Sequence, residues 1–247
     1  SLGRGGSDTT AVAIASSLSA ERCDIFTDVE GVFTADPNIV PNAKKIDKLA
    51  YEEMLEMSST GAKVLQTRSV ELALKNNLTL QVLSSFADVE GTYILNENKL
   101  IEKEIVSGVS YSINESKISI SGILDKPGIS AKIFELMSTN NINVDMIVQN
   151  ISQDGISANM TFTVPTKDLG FAKKILQNNR VQINYHNLSA DSDIAKISVI
   201  GMGMMSQTGV AEKMFRTLAE KQVNILAIST SEIKISVLIQ RKYCQLA

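Results

Sequence analysis

Histidine is almost missing from this chain. His186 is the only one in 247 residues, which argues against both a histidine metal cluster and Ser-His-Asp catalysis, and His186 itself reads as structural. Cysteine is as scarce. Cys23 and Cys244 are too few and too far apart for a disulfide framework, and neither sits in a metal-ligand spacing, so a reducing, cytoplasmic setting is expected. No apolar run is long enough to span a bilayer and no basic-then-apolar leader opens the chain, so no membrane partner is expected. Excess charge is lacking too: a net charge of -3 without any lysine or arginine cluster weighs against a nucleic-acid partner. Ser1 does not read as a natural start, and a chain that opens on a glycine loop is expected to lack an upstream strand.

What is present is globular material, 44% hydrophobic and 21% charged, enough for one or two domains. The densest chemistry is SLGRGGSD at the N-terminus. Gly3, Gly5 and Gly6 lead into Ser7, Asp8 and a run of helix formers from Thr10 to Ala20. A glycine turn feeding a helix N-terminus gathers unpaired N–H groups and the positive end of the helix dipole, a setting that receives phosphate or carboxylate. Arg4 adds a planar fork for a carboxylate, and Asp8 can hold a metal ion or orient a lysine. The plainer alternative is that Ser7 or Asp8 only caps the helix.

Apolar Ala11 to Leu18 followed by CDIFT (Cys23 to Thr27) predicts a helix-to-strand return of the α/β kind. Thr27 and Asp28 then stand at the carboxyl end of a strand, where ligands of open α/β sheets gather. Pro37, Asn38, Pro41 and Asn42 mark a loop. The spacing predicts a helix over Ile46 to Ser58 and a second from Ala62 to Lys75, which puts Lys63 in a first turn where the dipole disfavours a cation unless an anion lies near. Strands are expected at Leu78 to Ser84 and Tyr93 to Leu95, and the polar Asn96 to Lys103 reads as a boundary.

Beyond it lies a repeat. The segment from Lys117 aligns with the one from Lys196, so that Gly122 meets Gly201, Phe134 meets Phe215 and Asn143 meets Asn224. A period of about 80 residues is too long for a solenoid and implies a duplicated small domain. The first copy reads as strands at Ile118 to Ile123, Ile142 to Asn150, Ile156 to Val164 and Val181 to Leu188, with helices at Gly128 to Asn140 and Lys167 to Asn178, the ferredoxin-like βαββαβ order. The second copy lacks its last strand, and Ile105 to Ser112 is expected to fill that gap.

Residues 26 to 37 read FTDVEGVFTADP. With GRGGSD before them and GAKVL after them, they closely resemble the aspartokinases of the amino-acid kinase family, and the resemblance runs through nearly the whole chain. It implies an α/β fold: the C-terminal part of an amino-acid-kinase three-layer sandwich over 1–95, a linker at 96–104, and two ferredoxin-like ACT domains, 105–190 and a truncated 191–247. It also implies ATP and Mg2+ as cofactors and phosphoryl transfer to the β-carboxylate of L-aspartate. The product, 4-phospho-L-aspartate, opens lysine, threonine and methionine biosynthesis.

Carried over by motif, Arg4, Ser7 and Asp8 would meet aspartate, Thr27, Asp28, Phe33, Asn38, Lys63 and Val64 the nucleotide, with Asp8 and Lys63 the catalytic pair. Phe33 stands where tyrosine is usual and Asn38 where arginine is usual. An effector amino acid, lysine or threonine, would bind between the repeats at Asp125, Lys126, Pro127, Gly128, Ile129, Asn143 and Gln149, with Asn224, Ile225 and Thr230 opposite. In the second copy Met204, Met205 and Ser206 replace Asp-Lys-Pro, so that loop is expected to have turned to packing. Pairing of ACT sheets implies a homodimer or higher.

The family's phosphate-binding Lys-Phe-Gly-Gly motif is absent, so the chain alone is expected not to turn over. Two other readings stand beside this one: a purely regulatory amino-acid-binding module, and a kinase for glutamate or a nucleoside monophosphate. GRGGSD with its arginine and the paired repeats weigh against the latter.

Overall fold

The structure is a computed structural model and describes residues 5–62, 64–100, 104–152 and 155–247. It divides into two compact units. The first takes Ser1–Tyr111, Ser198–Thr217 and Thr230–Ile235, and the second takes Ser112–Ile197, Leu218–Ser229 and Ser236–Ala247.

In the first unit, helix α1 (Gly6–Ser17) returns through a tight turn into strand β1 (Arg22–Thr27), which pairs in parallel with β3 (Thr79–Ser84). Strand β4 (Thr92–Leu95) runs antiparallel to β3 and parallel to β2 (Lys48–Ala50), giving the order β1-β3-β4-β2. Helices α2 (Tyr51–Thr60) and α3 (Thr67–Lys75) complete the layer over it. Val12, Ile25, Met54, Val70, Leu80, Val82 and Ile94 form the core between helices and sheet. Burial along β1 alternates, with Cys23 and Ile25 inward while Phe26 remains 64% exposed.

Three expected boundaries differ. Helix α1 begins at Gly6 rather than Thr10, because Gly5 adopts a left-handed cap (φ 75°) that starts the helix early; Ser7 and Asp8 are therefore inside its first turn and cap nothing. The first turn of the helix expected from Ile46 is strand β2. Leu49 and Ala50 are fully buried by pairing with Ile94 and Leu95, so tertiary pairing overrides a spacing that also suits a helix. Glu53 then accepts a hydrogen bond from the Ala50 N–H at 3.0 Å, which fixes the start of α2. Finally, α2 closes at Gly61 (φ 128°) and α3 starts only at Thr67, so no lysine occupies the first turn of α3.

The second unit contains a complete βαββαβ module: β6 (Glu115–Leu124), α4 (Ile129–Thr139), β7 (Asp145–Ile151), β8 (Ser157–Pro165), α5 (Leu169–Asn178) and β9 (Asn187–Asp191). The sheet order is β7-β8-β6-β9, all antiparallel, over a core of Ile118, Ile120, Ile133, Met137, Phe162 and Leu176. The strand expected at Val181 to Leu188 is instead a short helix, α6 (Arg180–Ile183), then a left-handed turn at Asn184 (φ 56°), then β9. Ile183 and Tyr185 are both buried, which mimics strand alternation in the sequence.

The remaining strands are β5 (Gly108–Ser112), β10 (Ile194–Ile200), β11 (Ile225–Thr230) and β12 (Lys234–Gln240), in the order β11-β12-β10-β5, with helix α7 (Val210–Glu220) between β10 and β11. Two aligned glycines explain how the copies match. A methyl group on Gly122 would overlap the ring of His186, in the segment leading to β9, and one on Gly201 would overlap the Ile105–Val106 backbone leading to β5. In each copy this glycine, near the end of β6 or just past β10, makes room for the chain that leads to the edge strand beside it. His186 thus packs against Gly122, and its N–H donates to Ser121 O at 2.9 Å. Among the described residues no helix is long and apolar enough to cross a membrane.

Candidate functional site

Because α1 leads directly back into β1 and α3 directly back into β3, the N-termini of both helices lie at the edge where the parallel strands β1 and β3 end. The two N-termini meet there. A methyl group on Gly5, the cap of α1, would overlap the side chain of Gln66, the cap of α3. Neither cap receives a side-chain hydrogen bond, so first-turn N–H groups of both helices lack the acceptor that a serine or aspartate cap supplies. Two positive helix ends side by side favour an anion.

Asp8 sits in the first turn of α1, half-buried, and accepts from the Ser7 hydroxyl at 3.1 Å. At the strand ends, Thr27 is opposite Ser84, its carbonyl accepts from the Ser85 N–H at 2.8 Å, and its hydroxyl donates to exposed Asp28 at 3.1 Å. Val64 is half-buried against the core. Arg4 and Lys63 lie outside the described residues.

Phe33 and Asn38 occupy the loop between β1 and β2, where each has a local partner. Phe33 bridges to Lys45. Asn38 donates from both its backbone and its side-chain amide to Asp36, at 2.9 and 3.1 Å. That turn engages the Asn38 amide in a local hydrogen bond. Gln66 carries no cap signal in the sequence, since glutamine is no favoured cap; the cue is Gly61, a typical helix terminator that separates α2 from α3.

Burial, then Asp24 and Asp8, push the Cys23 thiol up from its ordinary value, so it is inert packing rather than a nucleophile. Among the described residues no three of His, Cys, Asp or Glu gather to hold a metal ion.

In the first repeat, Asp125, Lys126, Pro127 and Gly128 form an exposed loop closed onto its own sheet, the Asp125 N–H donating to Ile156 O at 2.9 Å. Gly128 is left-handed (φ 92°) and caps α4, and Ile129 opens that helix. Gln149, on β7, accepts from the Ser130 hydroxyl at 3.0 Å, so the N-terminus of α4 and the middle of β7 are brought together. Asn143 is exposed just before β7; Asn224 is exposed just before β11, and Ile225 and Thr230 are its first and last residues.

Strand β7 is distorted at its start. Register shifts between Asp145 and Val148, and Met146 is left-handed (φ 44°) yet buried against Ile194 and Leu238 of the second repeat. Beside it, buried Lys196 of β10 holds Asp145 at 2.6 Å and also Glu115. Burial pulls the Lys196 ammonium down, but the two carboxylates outweigh it and leave the pKa raised.

The amino acid kinase family model matches residues 1–84, and an ACT domain model matches 110–179 and 197–247. An aspartate kinase of Pseudomonas fluorescens is 49% identical over 247 residues, covering 100% of this chain and 60% of the relative. The solved aspartokinase alpha and beta subunits are 42% identical over 57% of this chain and 92% of theirs, with a TM-score of 0.54. E. coli aspartokinase III in complex with aspartate and ADP superposes on 100% of the chain and 55% of its own length at a TM-score of 0.82 and 28% identity. The same enzyme with lysine and aspartate gives 0.75, at 28% identity over 99% of this chain and 54% of its own. The chain thus spans about 60% of the length of the relative that matches it throughout.

Proposed function

The chain belongs to the aspartokinase family, and from that premise we propose that it forms part of an enzyme phosphorylating L-aspartate with ATP, regulated by an amino acid bound to its repeats. The observation that carries this reading is the meeting of two uncapped helix N-termini at Gly5 and Gln66, beside the ends of β1 and β3.

The β-carboxylate of aspartate is ionised at neutral pH and needs no general base. One of its oxygens attacks the γ-phosphorus, the bond to the β-phosphate oxygen breaks, ADP leaves, and 4-phospho-L-aspartate remains. Catalysis is then alignment and charge neutralisation. Helix N–H groups at Gly6 to Asp8 would cradle the transferring group, Arg4 the substrate α-carboxylate, and Thr27, Asp28 and Val64 the nucleotide. A carboxylate such as Asp8 among phosphates is tolerable only with a cation beside it, the part given to Lys63. Mg2+ would be carried mainly on the phosphate oxygens, supplying further neutralisation when bound.

We place the kinase part at 1–95, a linker at 96–104 and the repeats at 105–190 and 191–247, with lysine or threonine as effector. Edge strands β7 and β11 are the proposed seams of a homodimer or larger assembly.

Calorimetry with ATP and Mg2+ on the chain tests the nucleotide site. Binding is expected, weakened about tenfold by Asp28→Asn; no binding by the parent refutes it. Hydroxylamine trapping of acyl phosphate, with aspartate and ATP, is expected to show no turnover by this chain alone. The second reading, a regulatory fragment without nucleotide, is favoured by the exposed Asp125–Gly128 loop. It requires lysine or threonine to bind while ATP does not.

A further inference from the structure

In the second repeat Met202 and Gly203, just past β10, are buried, while Met205 to Gly209 beyond them are exposed, as Asp125 to Gly128 of the first copy are. The Met202 N–H donates at 2.9 Å to Glu53 of α2, and Gly203 N–H donates to Glu104 O at 3.1 Å. Glu53 is itself buried, and its carboxylate also accepts from the Ser107 hydroxyl at 2.6 Å and the Ala50 N–H at 3.0 Å. All three donors are neutral and come from separate stretches of chain. A carboxylate suits such a place because it only accepts; a glutamine would turn an N–H2 toward one of them.

One turn further on, Glu56 holds Lys234 at 2.7 Å, and Thr60 shares a hydrogen bond with Ser110. Glu53, Glu56 and Thr60 lie along one stripe of α2. Lys234 closes the turn after Thr230, its carbonyl accepting from the Ser231 N–H at 2.8 Å. Past Thr60 the chain turns at Gly61 and runs to Gln66, which packs on Gly5.

We propose that Glu53 and Glu56 are positioning residues: through them the Met202 segment and the Lys234 turn of the second repeat hold α2, and α2 sets the α3 N-terminus at Gln66 against the nucleotide. Met202 and Gly203, at the start of the second repeat's loop, are thus a grip on the catalytic part, whereas Met205 and Ser206, expected to pack, are exposed. This rests on the nucleotide and effector roles proposed above.

The test is calorimetry of ATP with Mg2+ on the chain, with and without saturating lysine or threonine. The ratio of the two nucleotide dissociation constants is the coupling factor, expected in the range of about 5–150. Lys234→Met and Glu56→Gln remove a partly exposed pair and are expected to fold. Each should leave the amino acid's own affinity within about twofold while cutting the coupling factor at least about threefold. The exchanged pair, Glu56→Lys with Lys234→Glu, should restore it, which a merely structural role would not predict. Parental coupling in both single variants overturns the inference and leaves the functional reading standing. A parent that binds no nucleotide, or neither amino acid, overturns that reading and the inference with it.

Discussion

Replacing Lys196 by methionine tests the charge cluster at the start of β7. The ammonium is 3% exposed, 2.6 Å from Asp145, and also paired with Glu115; those carboxylates are 57% and 16% exposed. At an effective dielectric of about 20 one such pair is worth roughly 6 kcal/mol before desolvation is charged against it. Methionine fills the same space, so packing changes little. Asp145 recovers water, while among the described residues Glu115 keeps the Thr163 hydroxyl, which donates to it at 2.8 Å. The loss belongs at the low end for a broken buried pair, about 3 kcal/mol, or a fall in Tm of roughly 6–12 °C by circular dichroism. Adding Glu115→Gln removes the stranded charge and should return about 1–2 kcal/mol. A single variant melting within about 2 °C of the parent, or a double variant less stable than the single, would refute the reasoning. Linkage gives an independent check. Because the folded pKa of Lys196 is raised, its contribution is full below the unfolded value and disappears as pH rises through the folded one, so the methionine variant loses part of the parent's alkaline sensitivity.

Tyr51, fully buried, donates to Leu78 O at 2.7 Å, and burial followed by Glu52 pushes its pKa to about 12. The folded protein holds that proton longer than the unfolded chain, so stability should fall between about pH 10 and 12 by up to about 3 kcal/mol. Tyr51→Phe should flatten that limb at a neutral-pH cost of about 1 kcal/mol, and an unchanged alkaline slope in urea titrations would count against it. Gly5→Ala places a side chain at φ 75° against Gln66 and should cost about 1–2 kcal/mol with weaker ATP binding; parental melting and affinity would dismiss the paired-terminus site.

Much of the candidate site was legible locally. GRGGSD, the acid after CDIFT and the repeat registering Gly122 on Gly201 are short-range patterns, because a left-handed glycine, a strand end and a helix start are each dictated by neighbours in sequence. Other features were hidden because distant chain supplied the deciding energy. Leu49 became strand through burial against β4, and the buried positions Ile183 and Tyr185 imitate an alternation that Asn184 interrupts.

The sequence by itself thus determined the mixed α/β character, the duplication and β5 as the strand that fills the second repeat's sheet, which follow from residue spacing and type, and its motifs carried the resemblance to the family. Tertiary structure alone decided that Gln66 meets Gly5 and that Glu53 is buried among three neutral donors. Each depends on segments far apart in sequence packing together, and no local propensity carries that information.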